Sequence, residues 1–176
     1  QSTQAEFSAY RENARWQTGE VLFVTLNIPG SNNNFDAPDR TEFISRSRAN
    51  SVWLEQSFAL ARTMKLPGIL IVLQGNPGFQ AANAGHPPSG YRQFLEQLIA
   101  ETRNFPGQVV LVHGDTHHQR IDQPLEDPET GMTLRNFTRV ETHGSPFFGW
   151  TKGTVDQRNP RLFHFEPRVV AGAKLQ

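Results

Sequence analysis

The sequence predicts an α/β fold in which a largely parallel sheet is followed by antiparallel strands. Three short apolar runs, each typical of a strand buried on both faces, alternate with two segments of helical periodicity. This β-α-β-α-β order favours parallel strands joined by right-handed crossovers. Three segments of alternating hydrophobicity follow, at 136–142, 150–156 and 162–166. We expect them to be antiparallel strands that extend the sheet, giving an α+β sandwich with one domain over residues 1–176.

Turn-forming residues delimit each of these elements. The apolar runs cover residues 21–26, 69–73 and 109–112. Thr41 is predicted to cap the first helix, which runs to about Met64 because Pro67-Gly68 stops it. Ser89 is predicted to cap the second helix, which ends before the next Pro-Gly pair. Residues 1–18 carry too few apolar positions to predict a strand.

Composition excludes several classes of function. Lys plus Arg and Asp plus Glu both number 17, so the chain lacks the basic excess of a dedicated nucleic-acid binder. The absence of Cys excludes disulfides, thiolate metal ligands and cysteine nucleophiles, and leaves a cytoplasmic, periplasmic or secreted location open. No apolar run is long enough to span a bilayer. Because the chain begins at Gln1, we expect it to be a processed or partial product.

Polar and metal-capable side chains follow each of the three apolar runs. In open α/β sheets, ligands bind beyond the carboxyl ends of the parallel strands. Three such endings at one edge would make a site, so we expect the residues that follow the runs to lie close together. They are Asn27 and Asn32–Asn34, then Gln74 and Asn76, and finally His113, Asp115, His117 and His118.

The segment from His113 to His118 is the richest of these endings. On an extended loop, side chains at i and i+2 point to the same side, so Asp115 and His117 can chelate one ion. Imidazole together with carboxylate suits Zn, Mn or Fe. The alternative is that Asp115 caps a turn and the histidines are ordinary loop residues, since two ligands do not complete a metal site.

Charged residues beyond this segment allow two interpretations each. Arg120 can bind phosphate and Asp122 can orient an imidazole, or the two can form a local ion pair. Arg139 and Glu141 alternate along a predicted strand, which is typical of a solvated face. His143 lies in a turn from which it can approach the site or merely end the strand.

These strand endings resemble motifs of a bacterial branch of the calcineurin-like metallophosphoesterases. The run His113-Gly-Asp-Thr-His117 is similar to that family's last motif, G-H-x-H. The segment Ile71–Pro77 is similar to its preceding strand, which ends in a metal-binding His shortly before a Pro. The resemblance covers roughly Arg11 to Val169 and corresponds to the C-terminal half of the family's domain. It implies half of a four-layer α/β/β/α sandwich with a two-metal site at the strand ends.

The resemblance also implies roles for individual residues. His117 matches the second His of the motif and Asp115 replaces the first, so both are expected metal ligands. Gln74 and Asn76 occupy the neighbourhood of the earlier metal-binding His and would supply amide oxygens. The expected catalytic residues are Arg120 and His113. Arg120 would hold a substrate phosphate, and His113 is close enough to serve as a metal ligand or to support one.

The family's early motifs, D-x-H, G-D and G-N-H, do not precede these segments. Asp115-Thr-His117 has the form D-x-H but follows the third strand, so we do not interpret it as the first motif. We expect Mn, Zn or Fe as cofactor, as a dinuclear site only together with a missing N-terminal half. That complete enzyme would hydrolyse a phosphate ester by metal-activated water, and this chain alone would be inactive.

Two other hypotheses remain open. In the first, the chain is a module that binds a ligand or partner without turnover. The replacements Asp115, Gln74 and Asn76 would then indicate a degenerate metal site. Alternatively, the chain is a structural half that pairs with the missing N-terminal half or with another chain. A half-sandwich exposes one apolar sheet face, and such patches mark interaction surfaces.

Overall fold

A computed structural model describes residues 1–170. They form a six-stranded mixed sheet of order β1-β2-β3-β4-β6-β5 and a separate hairpin, β7-β8. The strands are β1 (Arg15–Thr18), β2 (Val21–Thr25), β3 (Gly68–Val72), β4 (Gln108–His113), β5 (Arg120–Asp122), β6 (Phe137–Glu141), β7 (Gly149–Val155) and β8 (Phe163–Val169). The helices are a 3-10 turn (Ala5–Phe7), α1 (Gly30–Asn33), α2 (Thr41–Thr63), α3 (Phe79–Asn83) and α4 (Arg92–Arg103).

The predicted β-α-β-α-β core is confirmed as β2-α2-β3-α4-β4. Strands β2, β3 and β4 run parallel to one another, as right-handed crossover helices favour. Both predicted caps are displaced: α2 begins at Thr41 with Arg40 rather than Thr41 at the N-cap position, and α4 begins at Arg92 with Tyr91 rather than Ser89 there. The chain therefore belongs to the general α+β class. Within residues 1–170, no helix combines the length and apolarity needed to cross a lipid bilayer.

The C-terminal strands differ from the antiparallel extension that alternation predicted. Strand β6 lies in the main sheet but runs parallel to β4. The long segment between them allows a crossover, which a parallel pair requires and a tight hairpin does not. The antiparallel pairing with β6 comes instead from β5, and β7 and β8 pair with each other.

A strand that composition did not predict, β1, forms one edge of the sheet. Its four residues are mostly exposed and pair antiparallel with β2. Trp16 stacks on Phe23 of β2 with ring centroids 5.3 Å apart. An edge strand needs only backbone hydrogen bonds and one such cross-strand contact, so it lacks the apolar run that predicts a buried strand.

The two faces of the sheet are covered unequally. On one face, alternate strand residues join the hydrophobic core with α2 and α4; they include Leu22, Val24, Ile69, Ile71, Val109, Leu111 and Phe137. On the other face, Phe23, Leu70, Val72 and Val112 remain half-buried. The hairpin reaches this face through Leu162 and Phe163, which lie against Gly68.

Candidate functional site

The loops that follow β2, β3, β4 and β6 lie side by side at the carboxyl edge of the sheet. Backbone hydrogen bonds tie them together beyond the strands themselves. The Gly75 N–H donates to the Ile28 carbonyl at 2.9 Å, and the Gly114 N–H donates to the Gln74 carbonyl at 3.2 Å. The expected convergence of polar strand ends is therefore present, because parallel strands place their carboxyl ends at one edge.

Asp115 is directed toward the loops that follow β2 and β3. Its Oδ2 accepts a hydrogen bond from the Asn76 backbone N–H at 3.0 Å. Its carboxylate lies so close to Gly30 that a Cβ there would stand 2.7 Å from Oδ1. Asp115 has φ +82°, which is unusual for a residue with a Cβ. Glycine at position 30 thus leaves the space that the carboxylate occupies.

His117 is directed toward the loop that follows β6. Its Nδ1 lies 3.0 Å from the Ser145 carbonyl oxygen. A carbonyl can only accept, so Nδ1 carries a proton, and in the neutral ring the lone pair is then on Nε2. The ring rests on Gly144, where any Cβ would overlap it. His117 is an exposed residue.

The loop between β4 and β5 is not extended as expected. Asp115 and His117 both have positive φ, and the hydroxyl of Thr116 between them donates a hydrogen bond to the Glu141 carboxylate. The two side chains therefore contact different neighbouring loops instead of one side of an extended strand. Within residues 1–170, no three His, Asp or Glu side chains are grouped closely enough to hold a metal ion.

The amide oxygens of Gln74 and Asn76 each accept a hydrogen bond from a backbone group. The Gly30 N–H donates to Gln74 Oε1, and the Gly78 N–H donates to Asn76 Oδ1 at 3.0 Å. Gln74 thus connects the loop after β3 to the loop after β2, and Asn76 closes its own turn. Both residues lie at the expected edge, where their side chains organise the loops.

His113 lies behind this edge, on the face of β4 that packs against the helices. It is 2% exposed, and its ring centroid is 6.4 Å from that of Phe79 in α3. Its Nδ1 lies 3.0 Å from the Gly114 carbonyl oxygen, while Nε2 has no partner among the described residues. Burial lowers the pKa of His113, so the ring is neutral near pH 7.

Arg139 and Glu141 are buried, which corrects the expected solvated face. Both residues have 0% exposure. Arg120 and Asp122 do not pair with each other as one interpretation had it, because each pairs across the strands. Arg120 binds Glu141 with an Nη2–Oε2 distance of 2.6 Å, and Arg139 binds Asp122 with an Nε–Oδ1 distance of 2.7 Å.

The reason for this burial is helix α3, which covers the end of β6. The Arg139 guanidinium lies 5.4 Å from the ring centroid of Phe79 in that helix. Charges in such a place require partners, and β5 supplies one for each. Two nitrogens of Arg120, Nε and Nη2, are consequently committed to Glu141.

Tyr91 is a residue of the site that the sequence analysis did not single out. Its hydroxyl donates a hydrogen bond to the Pro29 carbonyl at 2.9 Å. Burial raises the pKa of Tyr91, and the negative charge of Asp115 raises it further. The one available signal was its position just before the second helix, at the level of the strand ends.

A single left-handed turn, α1, follows β2. Ser31 and the three asparagines after it have φ between +51° and +58°. Asn tolerates this conformation better than most residues, because its short polar side chain finds local hydrogen bonds. Here the bonds are with Gly90: its N–H donates to Asn32 Oδ1 at 2.9 Å, and its carbonyl accepts from Asn33 Nδ2 at 2.8 Å.

In comparisons with known proteins, no family model, no curated protein and no solved structure matched this chain. The similarity to metallophosphoesterases therefore depends on the motif residues alone and stays a prediction.

Proposed function

We propose that this chain supplies Asp115 and His117 to the divalent-metal site of a metal-dependent phosphoesterase. The observation that carries the proposal is the hydrogen bond between His117 Nδ1 and the Ser145 carbonyl. Metal-binding histidines typically donate their other ring N–H to a carbonyl or carboxylate, which fixes the tautomer and the ring orientation. His117 has this arrangement, and the residue is exposed.

Asp115 supports the same proposal. Its Oδ2 is held by the Asn76 N–H, while Oδ1 makes no hydrogen bond within residues 1–170. A carboxylate oxygen and an imidazole nitrogen suit Mn, Zn or Fe. Such an ion, when bound, lowers the pKa of a water molecule that can attack a phosphate ester. Arg120 keeps Nη1 and a 35% exposed side chain with which to bind the phosphate.

Two ligands do not complete the site. Within residues 1–170, no three metal-capable side chains are grouped around Asp115 or His117. We infer that the remaining ligands come from a further segment or from another chain, as the resemblance implies for an N-terminal half. This chain alone is then expected to bind a metal weakly and to show no turnover.

The chain contains a matched control for a test of metal binding. His118 is exposed like His117, but its Nδ1 faces the Thr116 hydroxyl at 3.3 Å instead of a carbonyl. Zn²⁺ binding is measured by titration calorimetry for the chain and for His117→Ala, Asp115→Ala and His118→Ala. We expect affinity to fall at least about tenfold in the first two variants and to stay unchanged in the third. No Zn²⁺ binding by the unaltered chain, or an equal loss in His118→Ala, would refute the proposal.

A second candidate function is a binding module without catalysis. The observation in its favour is that the Gln74 and Asn76 amide oxygens, which would replace a lost His, both accept backbone N–H bonds. The carboxyl edge would then bind a small ligand without a metal. Saturating Mn²⁺ or Zn²⁺ that leaves both the thermal midpoint and phosphate-ester hydrolysis unchanged would favour this candidate.

A further inference from the structure

A second concave surface lies away from the carboxyl edge, between the main sheet and the hairpin. We call it the arginine groove. Its volume is about 1090 Å³, slightly above the range of ordinary small-molecule sites. The residues that line it and that matter here are Asp122, Arg135, Arg161, Phe163, His164 and Phe165. None of them belongs to the proposed metal site.

The charge of the arginine groove is positive. Arg135 and Arg161 are exposed, and within residues 1–170 neither has a carboxylate within 4.0 Å. The acid in the lining, Asp122, is neutralised by Arg139. Two free guanidinium groups on one concave surface favour an anion, and guanidinium binds phosphate oxygens in a bidentate manner.

Two aromatic rings form part of the same lining. Phe163 and Phe165 lie on one face of β8 with centroids 6.1 Å apart and planes within 14° of each other. Phe163 rests on Gly68, and Phe165 rests on Gly153, where a Cβ would approach its ring to 3.1 Å. Both rings are half-buried, so each is held in place and still partly accessible. Such rings can stack with a flat aromatic ligand.

We propose that the arginine groove binds a small ligand in which a planar aromatic base is joined to a phosphate, as in a mononucleotide. Arg135 and Arg161 bind the phosphate, and Phe165 with Phe163 contacts the base. An anion alone would leave the aromatic rings unused, and an apolar ligand would leave two guanidinium groups unpaired. The proposal is independent of the metal site at the other edge of the sheet.

The test uses AMP as probe, with titration calorimetry in the presence of EDTA. AMP is expected to bind the chain, and Arg135→Ala and Arg161→Ala are each expected to weaken binding at least about tenfold. Arg158→Ala is the matched control, because Arg158 lies in the same β7–β8 turn but pairs with Asp156. Phe165→Leu is expected to weaken the binding of AMP and to leave the binding of inorganic phosphate unchanged. His117→Ala is expected to bind AMP normally, which separates this test from that of the metal site.

Several results would overturn the proposal. One is a folded chain that does not bind AMP, with folding checked by circular dichroism and the thermal midpoint. Another is an Arg158→Ala variant that loses as much affinity as Arg161→Ala, which would indicate nonspecific attraction to surface charge. A third is inorganic phosphate that binds as tightly as AMP, which would show that the base makes no contribution.

Discussion

Glu141 of β6 and Arg120 of β5 form a cross-strand ion pair with unequal burial. The Nη2–Oε2 distance is 2.6 Å, and the side chains are 0% exposed for Glu141 and 35% exposed for Arg120. Glu141 also accepts a hydrogen bond from the Thr116 hydroxyl. One buried carboxylate therefore holds the middle and the C-terminal end of the loop that carries Asp115 and His117.

The first prediction concerns which partner of this pair is costlier to remove. Arg120→Met leaves the Glu141 carboxylate buried without its counter-charge and should cost about 3 kcal/mol of unfolding free energy. Glu141→Gln leaves Arg120 partly in water and keeps an acceptor for Thr116, so it should cost only about 1 kcal/mol. Urea unfolding measures both. An equal or larger loss in Glu141→Gln would contradict the unequal burial.

The second prediction applies the same reasoning to Arg139 and Asp122, where the positively charged Arg139 is the buried partner. The side chains are 0% exposed for Arg139 and 42% exposed for Asp122. Asp122→Ala strands a buried guanidinium and should cost about 3 kcal/mol, whereas Arg139→Met should cost less because Asp122 returns to water. In the first pair the costlier change removes the arginine, and in this pair it removes the carboxylate. Urea unfolding of all four variants therefore distinguishes an effect of burial from a general need for arginine.

The third prediction connects loop packing with the proposed ligand. A Cβ at Gly144 overlaps the His117 ring, so Gly144→Ala should displace that ring and lower stability by about 1–3 kcal/mol. Zn²⁺ affinity should fall with it. Gly114→Ala is the control, because its Cβ would meet its nearest neighbour at an ordinary 3.6 Å. Crystal structures of both variants show whether the ring moves, and an unmoved ring in Gly144→Ala would contradict this packing.

The fourth prediction is a loss of stability at alkaline pH that arises from Tyr91. Burial raises the pKa of Tyr91 above the ordinary value of 10.0, with a further contribution from the charge of Asp115. The unfolded chain thus releases this proton first, and the stabilisation present below pH 10 is lost as pH rises toward the folded-state pKa. Urea unfolding from about pH 9 to about pH 11 should show this decline. The unfolding free energy of Tyr91→Phe should decline less steeply with pH. A slope identical to that of the unaltered chain would exclude Tyr91 as the source of the decline.

The fifth prediction tests the left-handed turn α1. Asn34 is exposed and has φ +57°, so the backbone conformation rather than side-chain packing decides what it tolerates. Asn34→Gly should change stability by less than about 0.5 kcal/mol, because glycine adopts this conformation freely. Asn34→Val should cost about 1–2 kcal/mol. Thermal unfolding measures both, and a valine variant as stable as the glycine variant would argue against the left-handed conformation.

Hydrophobic periodicity predicted the parallel core well, because it reflects which side chains are buried against one another. The helix predicted to run from Thr41 to about Met64 ends at Thr63. The direction of β6 was predicted wrongly, since alternation of polar and apolar residues is the same for parallel and antiparallel neighbours. The loop that precedes β6, and not the strand itself, decides the direction.

Arg139 and Glu141 show a second limit of pattern-based prediction. Their alternation indicated a solvated face, yet both are buried. Their charges are tolerated there because Asp122 and Arg120 face them from β5, a strand of three residues that carries no pattern of its own. Burial of a charge depends on partners distant in sequence, so local composition does not reveal it.

By itself the sequence determined that the polar ends of β2, β3 and β4 meet at one edge, because parallel strands with helical crossovers allow no other arrangement. Only the tertiary structure decided where Asp115 and His117 point. Both residues have positive φ. Hydrogen bonds hold this conformation, between Asp115 and Asn76, between the intervening Thr116 and Glu141, and between His117 and Ser145. Those contacts come from other strands and loops, so the conformation of this loop is a property of the assembled sheet.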